Sequence, residues 1–310
     1  MNEIYDVIII GGGPAGLTAA IYSARRALKT LVLSTDIGGQ ISKTTEVENY
    51  PGIDLISGMN LAMAFFNQAK KFGAKVHFEE VKSVRKDKGA FEVKTVLKTY
   101  SAKSVILAFG KKPRELGVPG EEEFKGKGVT YCATCDAPFF KDKNVAVVGG
   151  GNSAIDAAIL AASYAKKLYL LHRGAEFRAE QILVDKISKI PAIEVMMETE
   201  ISSINGDKKV ETVILSNNKT LKVDGVIVEV GFSVDRTLID GLVKIDDKNQ
   251  VVIDSLQRTS VPGIFAAGDL TETPYKQVVV SAGEAAKAAL ACFDYIQKLE
   301  GKKGIIADWH

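Results

Sequence analysis

Cys132 and Cys135, with the carboxylate of Asp136 directly behind them, are the residues whose type and spacing speak most plainly of chemistry in this chain. A C-x-x-C pair can close a disulfide ring, exchange it with another disulfide and reopen on taking two electrons. Zinc is a competing use of such a pair, but a zinc site needs four ligands. Beyond the pair the chain offers Cys292, His77, His172 and His310, all distant and none in a second paired motif. Asp136 would support a thiolate poorly, because a like charge raises its neighbour's pKa. It is better suited to handing over a proton as a thiolate leaves. A redox dithiol is the reading these residues favour.

The elements around the pair indicate where its electrons come from. Residues 6–10 form a continuous apolar run, as in a buried parallel strand, and lead into Gly11-Gly12-Gly13-Pro14-Ala15-Gly16 and then an alanine-rich helix over 17–28. Strand, G-x-G-x-x-G and helix together make a dinucleotide-binding turn. Gly11 permits the tight bend, Gly13 lets the backbone approach a pyrophosphate, and Gly16 lets helix and strand pack closely. The same theme returns after the cysteines: a strand over 144–148, the loop Gly149-Gly150-Gly151-Asn152-Ser153-Ala154, and a helix over 155–164. Each helix start offers free N–H groups and partial positive charge to phosphates. Two nucleotide loops flanking a dithiol imply that hydride arrives from a nicotinamide nucleotide, and a flavin is the group that accepts hydride and passes electrons to thiols.

The tips of the second strands bear on nucleotide choice. Thr30–Leu33 leads to Ser34-Thr35-Asp36, where Ser34 or Asp36 must hold the adenine ribose. The equivalent position of the second domain is His172, followed by Arg173, with Arg178 in the next turn. Cations there suit a 2′-phosphate, so NADPH is expected, unless these residues pair with Glu176 or Glu180. The polar segment Gly38-Gly39-Gln40 and Thr44 to Gly52 is expected to cap the carboxyl edge of the first sheet, where ligands bind. Turn formers from Lys111 to Gly120 mark a crossing between domains, and residues 241–250 look like the return. A strand ending at Gly268-Asp269 and an amphipathic helix over 278–296, holding Cys292 as a small core residue, complete the chain.

Composition narrows the class further. With 310 residues, 46% apolar and 25% charged, the chain suits two globular domains. A net charge of +2, from 40 basic and 38 acidic residues, makes no electrostatic case for nucleic acid. No apolar run reaches the ~18 residues of a membrane span, and the start lacks the basic and apolar regions of a signal peptide, so the cytoplasm is the expectation.

With these residues in view, the chain resembles the low-molecular-weight thioredoxin reductases from end to end. The resemblance rests on Gly11 to Gly16, Gly38-Gly39-Gln40, Thr44 to Gly52, Cys132-Ala133-Thr134-Cys135-Asp136, Gly149 to Ala154, His172-Arg173, Phe177 to Glu180, Phe265 to Asp269 and Gln277 to Gly283. It implies an α/β fold of two Rossmann-like nucleotide-binding domains, the second inserted in the first. FAD would lie on residues 1–115 and 245–310, at Gly11, Gly13, Pro14, Ala15, Gly16, Ser34, Gly39, Gln40, Asn49, Gly268, Asp269, Lys276, Gln277 and Val278. NADPH would lie on 116–244, at Gly149, Gly151, Asn152, Ser153, Ala154, His172, Arg173 and Arg178. The resemblance also implies that Cys135 faces the flavin, Cys132 attacks the disulfide of a thioredoxin-like partner, Asp136 serves as the acid, and the chain is a homodimer. Two departures bear on the nucleotides: Gly174 replaces a second arginine after His172-Arg173, which weakens the preference for NADPH over NADH, and Lys276 replaces an arginine. Alternative readings are a reductase of a peroxiredoxin or glutaredoxin-like partner drawing on NADH or ferredoxin, or a non-catalytic flavoprotein sensor.

Overall fold

The computed structural model describes residues 4–43, 47–87 and 89–302. Thr44, Thr45 and Glu46 of the expected polar cap, and His310, lie outside the described residues. In chain order the elements are β1 Ile4–Ile10, α1 Pro14–Arg25, β2 Thr30–Ser34, α2 Gly58–Lys71, β3 Lys75–Phe78, β4 Val81–Asp87, β5 Ala90–Thr95 and β6 Thr99–Leu107. They continue with β7 Lys112–Pro113, β8 Val129–Thr130, α3 Ala133–Asp136, β9 Asn144–Val148, α4 Asn152–Ala162, β10 Lys167–Leu171, α5 Gln181–Ile187 and β11 Ile193–Met196. The last are β12 Ile201–Gly206, β13 Val210–Leu215, β14 Thr220–Lys222, β15 Gly225–Val228, β16 Phe232–Ser233, β17 Ile264–Ala266 and α6 Val278–Leu299. These form two compact units, one of residues 1–111 with 234–310 and one of residues 112–233.

In the first unit, β3-β2-β1-β6 run parallel, β17 continues the parallel sheet beside the end of β6, and β5 and β4 extend it antiparallel. Alternation along β1 explains its unbroken apolar run: Val7 and Ile9 enter the core under α1, α2 and α6, while Ile8 and Ile10 enter the core on the opposite face. The strand order reverses between β1 and β6, so a crevice opens at the carboxyl ends of these strands.

The second unit has its own five-stranded parallel sheet, ordered β11-β10-β9-β15-β8, with a separate antiparallel meander of β12, β13 and β14. Val145 and Val147 of β9 pack on one face, Ala146 and Val148 on the other. Because all five strands are parallel, the turn after β8 and the turn after β9 emerge at the same edge. The dithiol follows the first and the second glycine loop follows the other. Both units are Rossmann-like, and the second is inserted in the first.

The crossings are short. Antiparallel pairing of β7 with β16 lays the outgoing and returning segments side by side at Pro113 and Phe232. The return therefore comes earlier than the 241–250 stretch read from its turn formers. Val234, Ile239 and Val243 are already buried in a core of the first unit.

Candidate active site

The second unit holds the reactive pair. Cys132 and Cys135 form a disulfide with their Cα atoms 5.4 Å apart. Cys132 is the N-cap of α3 and its Sγ accepts the Cys135 amide at 3.3 Å, so the single helical turn is itself the ring's scaffold. Cys135 is exposed and Cys132 half-buried. Behind the ring, the Thr130 hydroxyl does two things at once: it donates to a carboxylate oxygen of Asp136 and accepts the Cys132 amide at 3.1 Å. Asp136 is thus tied through one side chain to the backbone of Cys132. Tyr131, between Thr130 and Cys132, is anchored by its hydroxyl to buried Glu121 at 2.8 Å, and Glu121 also accepts the amides of Leu116 and Gly117 at 2.8 and 2.7 Å. Burial, then the Glu121 bond, pushes the Tyr131 phenol up, so it holds its proton and serves as an anchor.

The second glycine loop shows why each small residue is needed. Gly149 has φ +153° and a Cβ there would strike the Glu229 carbonyl at 2.4 Å and the Ala154 methyl at 2.6 Å. Gly151 is different, because nothing lies within 4 Å of its would-be Cβ. That open face, at the uncapped start of α4, is a cradle a phosphate could enter. Asn152 and Ser153 are exposed beside it, and Asn152 exchanges two hydrogen bonds with Glu180, at 3.0 and 2.8 Å.

His172, expected at the strand tip among the NADPH-binding residues, is buried. Its ring is only 6% exposed, stacks on Phe177 at 5.5 Å, and bonds the Glu176 carbonyl through Nε2 at 3.0 Å. It lies so close under the loop that a Cβ on Gly150 would come within 2.2 Å of it. An apolar stack and a glycine with no room for a methyl leave the ring as a wedge beneath the loop. Arg173 and Arg178, by contrast, are exposed, and neither guanidinium has an ion-pair partner among the described residues; Glu180 is engaged by Asn152 instead. The Arg178 amide donates to the Gly150 carbonyl at 2.7 Å, which holds that arginine's turn against the loop.

The residues expected at a flavin all lie in the first unit. Gly11 has φ +114° and no room for a Cβ against Ala108, and a Cβ on Gly16 would come within 1.9 Å of the Gly11 carbonyl. Gly13, the N-cap of α1 with Pro14 next, has only the Gly38 carbonyl at 3.7 Å, so this loop too faces open space at a helix start. The Ser34 hydroxyl donates to the Asp36 carbonyl at 2.8 Å, and the Asp36 carboxylate accepts the Gly39 amide at 2.9 Å. Asn49 donates to Gln277 at 3.2 Å, joining the 47–52 segment to the N-cap of α6 just before Val278, and Gln40 reaches the Lys111 carbonyl at 3.3 Å. Gly268 packs on Ala15 of α1, and Asp269 accepts the Ser281 hydroxyl at 3.3 Å. Burial, with the Lys111 charge nearby, lowers the Lys276 ammonium from the ordinary lysine range, and it donates to the Thr271 carbonyl at 2.8 Å.

Several further residues belong to these sites. Gly12 has Ser34 Oγ 2.8 Å from its would-be Cβ, so the first loop needs its middle glycine as well. Glu284 on α6 is buried and accepts the Gly268 amide at 2.7 Å. An acidic residue sharing a helix face with Ser281, Ala285 and Ala288 is the signal that could have found it. Thr130 could have been found as a hydroxyl two residues ahead of Cys132.

Comparison with known proteins decides the family. The description Pyridine nucleotide-disulphide oxidoreductase matches residues 5–287. The chain belongs to that family, in its thioredoxin reductase branch. It is 40% identical over 306 residues to a thioredoxin reductase of Listeria innocua serovar 6a, covering 96% of each chain. Among solved structures it is similar to the thioredoxin reductase of Lactococcus lactis in its FR conformation, with TM-score 0.85 and 32% identity over 95% of this chain and 99% of that one. It is also similar to that of T. acidophilum, with TM-score 0.82 and 38% identity over 96% and 99%. Membership of this family carries flavin and pyridine nucleotide use with it.

Proposed function

We propose that the chain is an FAD-dependent thioredoxin reductase that moves electrons from NADPH through the Cys132–Cys135 disulfide to the disulfide of a thioredoxin. The observation that carries this reading is a closed C-x-x-C ring, with a tethered carboxylate, on the same sheet edge as an open glycine loop. In this reading the first unit holds FAD at Gly11, Gly13, Pro14, Ala15, Gly16, Ser34, Gly39, Gln40, Asn49, Gly268, Asp269, Lys276, Gln277 and Val278. The second holds NADPH at Gly149, Gly151, Asn152, Ser153 and Ala154, with Arg173 and Arg178 on the 2′-phosphate and His172 beneath the loop. The flavin supplies hydride acceptance and thiol reduction when bound.

The chain's own residues do the rest. Cys135 takes the electrons and Cys132 attacks the partner's disulfide, so one sulfur–sulfur bond breaks as another forms and the net transfer is two electrons and two protons. Asp136, held by Thr130, gives a proton to the leaving sulfur. A homodimer working in the cytoplasm on a thioredoxin-like protein accords with the family resemblance. Gly174 favours keeping NADH as a second electron donor in view, because only two exposed guanidinium groups remain for a 2′-phosphate.

The test is steady-state reduction of thioredoxin with NADPH and with NADH. NADPH should be the better donor, and Arg173→Ala should raise its KM about tenfold or more while leaving that of NADH nearly unchanged. Equal KM changes for both nucleotides would remove the 2′-phosphate role.

A further inference from the structure

One side chain ties the second glycine loop to the segment that carries its cations. Asn152 opens α4 and meets Glu180 with both polar atoms of its amide group. Its Oδ1 accepts the Glu180 backbone N–H at 2.8 Å, and its Nδ2 donates to the Glu180 carboxylate at 3.0 Å. Glu180 stands at the N-cap of α5, where a side-chain oxygen commonly turns onto the free N–H groups of its own helix, yet it caps nothing there. Asn152 holds the carboxylate instead. Both residues are exposed, so the hydrogen bonds rather than packing fix this arrangement.

The clamp restrains a negative charge beside two open cations. Arg173 begins the segment and Arg178 lies two residues before Glu180; both are exposed, and neither guanidinium has an ion-pair partner among the described residues. The Arg178 amide donates to the Gly150 carbonyl at 2.7 Å, so the segment is anchored to the glycine loop at Gly150 and again at Asn152. Released on so short a segment, the Glu180 carboxylate would compete with a phosphate for the same guanidinium groups.

We propose that Asn152 is a positioning residue for nucleotide selectivity: by holding the Glu180 carboxylate it keeps Arg173 and Arg178 open to the 2′-phosphate that distinguishes NADPH from NADH. This rests on the NADPH reading above and deepens it. With Gly174 in the segment only these two guanidinium groups serve the phosphate, so the loss of one to an internal ion pair removes half of the charge available.

The experiment is calorimetric titration of the full flavin-loaded protein with adenosine 2′,5′-bisphosphate and with adenosine 5′-monophosphate, which differ only in the 2′-phosphate. The readout is the ratio of the two affinities, in which any effect of Asn152 on the shared part of the ligands cancels. Asn152→Ala should lower that ratio about three- to fivefold, the scale of one exposed ion pair formed in competition. The loss should shrink as salt is raised. Glu180→Gln added to Asn152→Ala should return the ratio to the wild-type value, because no charge is then left to reach the arginines. Glu176→Gln added in its place should not, since the Glu176 carboxylate is not what Asn152 restrains.

A ratio unchanged in Asn152→Ala overturns the proposal. So does a fall that Glu180→Gln fails to reverse, because a lost backbone tether rather than a freed charge would then be at work. So does equal rescue by Glu176→Gln, which would make the effect one of general charge. The reading beneath the proposal fails in a different way: a wild-type protein that binds the two ligands equally has no 2′-phosphate site, and both fall together.

Discussion

Substituting Gly150 by alanine tests how the second glycine loop is supported. The new Cβ would land 2.2 Å from both Cε1 and Nδ1 of His172, well inside contact distance. Gly150 does not have a positive φ, so the backbone accepts alanine and the clash is isolated. The ring has little freedom to retreat, since it is buried, stacked on Phe177 and bonded to the Glu176 carbonyl. Overpacking of this kind costs about 1–3 kcal/mol. His172→Ala removes the obstacle, so in the double variant most of the Gly150→Ala penalty should disappear, a coupling of about 1–3 kcal/mol. Urea unfolding followed by circular dichroism on the four proteins of the cycle gives the coupling, and a pyridine nucleotide titration on the same samples shows whether the loop's binding follows. Additivity within about 0.5 kcal/mol would refute the wedge. So would a His172→Ala variant whose NADPH affinity loses its salt dependence as an arginine variant's should, because then the ring would be acting as a charge.

Two further outcomes follow from hydrogen bonds at the sites. Glu284→Ala strips the buried Gly268 amide of its acceptor and should cost about 1–3 kcal/mol, with weaker flavin retention on gel filtration as the functional readout; a variant that keeps its flavin and its stability would show that the 268–269 turn is held by other means. Thr130→Val removes the hydroxyl that joins Asp136 to the Cys132 amide. It should slow thioredoxin reduction about tenfold while leaving reduction of the flavin by NADPH unchanged, and slowing of both steps alike would place the effect elsewhere.

Much of the architecture was legible because its physics is local. The run over 6–10 reads as a doubly buried strand since both of its faces meet a core, and the two glycine loops read correctly because a strand must turn tightly into a helix at each. The return crossing was not legible: Val234, Ile239 and Val243 are apolar, and nothing in the chain says which unit's core an apolar residue joins. The meander of β12, β13 and β14 likewise depends on pairing partners rather than on local pattern. At the site, Cys132, Cys135 and Asp136 were visible through their spacing. His172 was assigned as a cation from its place at the strand tip, but its burial is decided by Gly150 and Phe177, which come from other segments of the chain. Glu284 was missed because the amide it accepts, that of Gly268, comes from another segment; its place on the buried face of α6 was the one local sign of it.

The central claim is that electrons leave the protein only through the Cys132–Cys135 pair, and anaerobic titration of Cys135→Ser tests it most directly. With NADPH the variant should lose its flavin absorbance as wild type does, since neither the first unit nor the second glycine loop is altered. On addition of oxidised thioredoxin it should then reduce none of it. Thioredoxin reduction at the wild-type rate in that variant would contradict the account.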